Sequence, residues 1–248
     1  MERQRIFIDD ILSNENMNRA YKQVIKNKGA AGIDGMECND LLSHLKVNGH
    51  QLRESIRNQS YKPMPVKRVE IPKDNGSKRK LGIPTVTDRM IQQAAAQVLT
   101  PIYERKFHTN SYGFRPGKSA QQAVLKAAEY MNEGYNWVVD IDLEKFFDTV
   151  EHDKMISILN KEIKDGKTLS LIRKFLVSGV MVGEQMEETE IGTPNDAPTA
   201  QNHADLRGVV LRNVFRSGGL YSVAVGGTSC RKNAGQYVLV LRVSVHHS

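Results

Sequence analysis

The residues with the clearest chemical content stand at 137–148. Trp137-Val138-Val139-Asp140-Ile141-Asp142-Leu143 reads as a short apolar strand, and 144–150 turns sharply after it. The period of two puts Asp140 and Asp142 on one face, and Val139, Ile141 and Leu143 on the other. Asp142, at the end of the strand and just before the turn, is placed to hold a hard cation such as Mg²⁺, with waters and substrate phosphates completing the shell. Two such ions can clamp the attacking and leaving oxygens of a phosphoryl transfer. A strand-end aspartate equally serves as a cap or in a surface ion pair. Phe146 and Phe147 follow closely. Their rings either pack in the core or form a flat wall beside a bound sugar, where a ribose 2′-OH would collide and a deoxynucleotide would fit.

Three further groups carry positive charge at constrained places. Lys73, Lys78, Arg79 and Lys80 surround the polar turn Pro72-Lys73-Asp74-Asn75-Gly76-Ser77-Lys78-Arg79. They are either a solvated charge run or a clamp that neutralises triphosphate charge as it builds in a transition state. Arg115, between Phe114 and Pro116, can contact a phosphate or brace its own loop. Lys26 and Lys28 stand beside the turn Asn27-Lys28-Gly29-Ala30-Ala31-Gly32-Ile33-Asp34-Gly35. Its glycines, Gly29 and Gly32 among them, let backbone approach a partner closely; a plain helix-to-helix connection has the same composition.

The elements that must position these residues follow from periodicity. Helices are expected over 9–28, 39–58, 88–103, 119–132, 152–163 and 169–178. Thr87 or Asp88 can cap the third of these. Residues 61–84 alternate as a hairpin with a long basic tip, 107–117 is irregular, and 181–191 suggests a second hairpin. Valine alternation around 237–245 suggests one more strand, with no partner indicated.

Composition bounds the function class. The chain has 248 residues, a formal net charge of +7, 40% hydrophobic residues and a mean hydropathy of -0.46. That is a folded chain and not a disordered one, with room for one large domain or two small ones. The basic excess suits an anionic partner such as nucleic acid. Cys38 and Cys230 are the only cysteines, so a disulfide framework and a cysteine-rich zinc module are excluded. The start, MERQRIFIDD, has no apolar signal region, and no apolar run reaches the ~20 residues of a spanning helix. The expectation is a reduced, cytoplasmic protein without a membrane partner.

Several segments, in order, resemble the conserved blocks of the group II intron-encoded reverse transcriptases, the multifunctional maturase family. They are NKGAAGIDGM (27–36), VEIPKDNGSKRKLGIPTVTDRMIQQA (69–94), SYGFRPGKSAQQA (111–123), WVVDIDLEKFFDTVEHDKM (137–155) and the opening GTP (192–194) of a further block. The similarity covers about residues 1–194. It implies an α+β fold: reverse-transcriptase-like fingers over 1–130 with the basic hairpin, part of a palm sheet over 131–194, and an unassigned tail over 195–248. It implies RNA-directed DNA polymerase activity with Mg²⁺, an RNA template (intron RNA), a DNA primer and a deoxynucleoside triphosphate. By position, Asp142 matches the first catalytic aspartate and the Leu143 carbonyl its companion metal ligand. Phe147 matches the ring that excludes ribonucleotides. Arg79 matches a triphosphate contact with Lys73 nearby, and 27–36, with Lys26, Lys28, Gly29 and Gly32, a template contact. Asp140 matches no catalytic position, and Asp148 belongs to the motif without holding metal.

The sequence departs from the family after Pro194. Where the family continues with Gln-Gly-Gly and Ser-Pro, this chain has Asn195-Asp196-Ala197-Pro198. The Tyr-Ala-Asp-Asp hairpin that supplies the remaining carboxylates has no counterpart over 195–248, where Asp196 and Asp205 are the only acids. The tail also lacks Glu, Ile and Met, and its six basic residues outnumber its acids. No thumb or maturase domain is recognisable. A break in composition that coincides with the break in motif points to a reading-frame shift. The expectation is a polymerase lineage interrupted within its palm and inactive alone; the alternative is an RNA-binding, maturase-like fragment without catalysis. A third reading is a product without a stable fold.

Overall fold

In the computed structural model, residues 8–72, 78–141, 149–192, 225–228 and 236–241 are described. The first helices are α1 (Ile8–Leu12) and α2 (Asn14–Asn27). They are two elements where the sequence suggests one, because Ser13 breaks the run and caps α2 by accepting from the Asn16 backbone N–H at 3.3 Å. A 3₁₀ turn (Cys38–Asp40) leads into α3 (Leu41–Arg57). β1 (Val66–Pro72) and β2 (Lys78–Ile83) form the expected hairpin, antiparallel from Lys67↔Ile83 to Pro72↔Lys78.

The long helix α4 (Val86–Glu104) starts at Thr85, whose hydroxyl accepts from the Asp88 backbone N–H. The cap therefore sits two residues before Thr87 and three before Asp88, the expected positions. Met90, Ile91, Ala94, Ala95 and Leu99 supply its buried stripe. α5 (Ala120–Asn132), capped by Ser119, leads to β3 (Tyr135–Ile141). α6 (His152–Asn160) and α7 (Gly166–Leu176) follow, then β4 (Val180–Val182) and β5 (Gln185–Glu187) as a small antiparallel hairpin. Two strands lie in the tail, β6 (Val225–Thr228) and β7 (Gln236–Leu241).

One continuous apolar core joins α1, α2, α3, α4, α6 and α7 through residues such as Ile11, Ala20, Leu41, Ile91, Leu99, Met155 and Phe175. Asn16 is the polar pin within it: its amide donates to the carbonyls of Ile11 and Ala94, and its oxygen accepts from Gln97 at 2.8 Å. The strands form two sheets. One has the order β2-β1-β4-β5, with β4 parallel to β1 through Val66↔Val180 and Lys67↔Met181. This pairing joins strands on either side of residue 130. The other has the order β3-β7-β6, with β7 parallel to β3 from Tyr135↔Gln236 to Ile141↔Leu241, and β6 antiparallel to β7.

Candidate nucleic-acid and nucleotide site

Asp142, Leu143, Phe147 and Lys73 lie outside the described residues, as do Phe146 and Asp148. The approach to them is described. β3 runs to Ile141, the residue before Asp142, and its neighbour there is Leu241 at the end of β7. Thr149 follows the 142–148 segment. Val150, buried, then accepts a hydrogen bond from the Gly192 backbone N–H at 2.9 Å. Glu151 bridges to Ile191, and the buried His152 donates from Nε2 to the Gly192 carbonyl at 2.6 Å. The start of the Gly-Thr-Pro block is thereby docked on the exit of the Asp142 segment, although 40 residues separate His152 from Gly192 in sequence.

The partners of β3 bear on the metal chemistry. A two-ion centre needs several carboxylate oxygens converging on one point. β7 reads Gln-Tyr-Val-Leu-Val-Leu and β6 Val-Gly-Gly-Thr, without an acid in either. Among the described residues no three His, Cys, Asp or Glu side chains stand close enough to hold a metal ion. The donor set on β7, which pairs with β3, and on β6 beyond it therefore does not fit a two-Mg²⁺ centre, and the chemistry assigned to Asp142 gains no partner from them.

On the basic hairpin, Arg79 pairs in register with Ile71 and Lys80 with Glu70. Lys78 is ion-paired with Glu70 at 2.8 Å, and each holds the other in its charged form. Both are solvent-exposed, so the pair contributes little to stability. Arg115 is 8% exposed. Its Nε donates to Glu104 at 2.8 Å, and one terminal nitrogen donates to the carbonyls of His108 and Ser111, both at 2.8 Å. The guanidinium also stacks over the Phe107 ring at 4.9 Å. Of the two roles the sequence allows Arg115, these bonds are those of a brace for the 107–117 loop.

The glycine turn is held just as firmly. Cys38 donates its thiol to the Gly29 carbonyl at 3.3 Å, and Arg89 donates to the Ala30 carbonyl at 2.7 Å. A Cβ on Gly32 would fall 2.6 Å from the Thr85 Cα, and one on Gly29 would fall 2.2 Å from an Arg89 nitrogen. The close approach that these glycines allow is to the chain's own α4 start. Lys26 and Lys28 remain exposed beside it, Lys28 in the left-handed region at φ 47°.

Sequence reasoning offered Asp88 only as a cap and passed over Arg89. Asp88, almost fully buried, accepts from the Tyr61 hydroxyl at 2.6 Å, the Thr85 hydroxyl at 2.7 Å and the Met64 backbone N–H at 3.2 Å. Burial raises its pKa, and these hydrogen bonds only partly oppose that. The signal for the cap was present: Thr85-Val86-Thr87-Asp88 has the T-x-x-D spacing of a helix start.

The sequence pattern of the family described as "Reverse transcriptase (RNA-dependent DNA polymerase)" matches residues 71–222, past Pro194 into the divergent segment. Protein YkfC of Escherichia coli is 35% identical over 175 residues, 68% of this chain and 46% of that one. The group II intron-encoded protein LtrA of Lactococcus lactis is 38% identical over 177 residues, 71% of this chain and 29% of that one. The chain thus spans less than half the length of these relatives. A chain in a solved structure titled "Partial Cas6-RT-Cas1--Cas2 complex" superposes on 89% of this chain and 36% of that one, with a TM-score of 0.52 and 22% identity, a likeness of fold. No helix among the described residues is long and apolar enough to cross a membrane. The ordered motifs, the helices that carry them and the extent of the match together make this chain a member of the reverse transcriptase (RNA-dependent DNA polymerase) family, with group II intron-encoded proteins among its relatives.

Proposed function

We propose that the chain is a group II intron-type reverse transcriptase interrupted within its palm, which grips RNA and does not polymerise DNA alone. The observation that carries this reading is the absence of any carboxylate from β7, the strand paired with β3, and from β6, paired with β7. On this reading Asp142 and the Leu143 carbonyl are the metal ligands the chain retains. Phe147 is the ring against the sugar, Lys73 and Arg79 the triphosphate contacts, and Lys26 and Lys28 template contacts. Loss of transition-state charge stabilisation of a few kcal/mol costs orders of magnitude in rate. Primer extension on an RNA template with Mg²⁺ and labelled deoxynucleotides is expected to stay at background for the 248-residue chain and for Asp142→Ala alike. Incorporation by the wild type that Asp142→Ala abolishes would refute the reading.

A second reading, an RNA-binding maturase-like fragment located in the cytoplasm, is favoured by the net charge of +7 and by the exposed lysines on a firmly held turn. It requires RNA affinity that needs no Mg²⁺, survives Asp142→Ala and falls steeply as salt rises.

A further inference from the structure

Arg89 lies in the first turn of α4 with its guanidinium laid over Gly29. One terminal nitrogen donates to the Ala30 carbonyl at 2.7 Å. Nε is buried and has no hydrogen-bond partner among the described residues. None of the ion pairs formed by the described residues includes Arg89. Asp34 and Cys38 favour its charge only at longer range, and burial works against that charge. Arg115 makes the contrast: equally constrained, it has a carboxylate and two carbonyls. A guanidinium is a planar fork of five donors suited to carboxylate or phosphate, and a partly desolvated one without an anion has donors and charge unspent.

The surroundings say which anion. The residue before Gly29 is the exposed Lys28, whose left-handed backbone carries it out of α2, and Lys26 is exposed two residues earlier. Gly29 has no side chain to cover the guanidinium, and any Cβ there would strike it. We propose that Arg89, with Lys28, binds a backbone phosphate of single-stranded RNA across the Gly29 seat. The inference rests on the reading that the chain grips RNA and adds a residue on α4 to the turn at 27–36.

The test is fluorescence anisotropy of a fluorescein-labelled oligouridylate with the full chain, titrated from about 50 to about 200 mM KCl. For a single strand each phosphate contact adds about 0.7 to the slope of log affinity against log salt. Arg89→Gln is expected to reduce that slope by about 0.7 and to weaken low-salt binding about tenfold, the size of one charge-assisted hydrogen bond. Arg89→Lys is expected to keep the slope. An Arg89→Gln protein with the wild-type slope, whatever its affinity, overturns the proposal while the RNA-binding reading stands. Wild-type protein without salt-dependent binding overturns both. If Arg89→Gln loses its cooperative melt, the Arg89 Nε–H resonance of ¹⁵N-arginine-labelled wild type decides. A shift on adding the RNA supports the site, and an unmoved resonance overturns it.

Discussion

The carboxylate of Asp88 joins three pieces of chain that are separate in sequence: the 61–64 segment, the Thr85 cap and α4. Three donors converge on it in a place closed to water, so the group is held by geometry while its charge is disfavoured by burial. Its folded pKa lies above the unfolded value, which means that the folded state holds the proton more tightly. The stability this adds is fully present below the ordinary aspartate range and is lost as pH rises through the raised value. Urea unfolding across acidic to neutral pH is expected to show wild-type stability falling with pH relative to Asp88→Asn; a constant difference would contradict it. Arg115 is the second residue of this kind. Arg115→Ala leaves Glu104 and two carbonyls without their donor, and a loss of about 3 kcal/mol in urea unfolding is expected.

At the level of elements, the arrangement depends on close approaches that only glycine permits. Gly32 is buried against the backbone of Thr85, where a methyl group has no room. Gly32→Ala is expected to lower unfolding stability by about 1–3 kcal/mol and to shift the thermal midpoint down. Gly35→Ala meets nothing within 4 Å and has only its positive φ to contend with, so its loss is expected to be smaller. Equal losses would show that the turn does not dock as described. α5 is the least committed helix: it packs on β3 and β6, buries none of its residues fully, and leaves Val124, Leu125 and Met131 exposed. Capping by Ser119 and the Gln122 box define its start without help from packing.

For the whole molecule, the helices before residue 105 and those after residue 150 share one core, whereas β6 and β7 contribute strands without acids. Asp142→Ala is therefore expected to leave RNA affinity and its salt dependence unchanged, measured by anisotropy beside the wild type; a several-fold loss would place Asp142 in RNA binding. The origin of the tail is open to a test that needs no protein. Translating the other two frames of the gene downstream of codon 194 should show Gly-Gly, Ser-Pro and Tyr-Ala-Asp-Asp in one of them. Their absence from both frames would make 195–248 a genuine replacement.

Local signals were sufficient for much of this protein. The helical stripes, the basic hairpin, the helix starting at residue 119 and the ordered motifs of the family all depend on neighbours a few residues apart, so spacing alone reveals them. The pairing of Val66 with Val180, the docking of Gly192 on Val150 and His152, the parallel match of β7 to β3 and the seat of the Arg89 guanidinium over Gly29 required the folded chain. Each joins residues far apart in sequence, and their contact is decided by which apolar faces bury one another. An arginine reads the same in sequence whether it finds a carboxylate, as Arg115 does, or is left over a glycine, as Arg89 is.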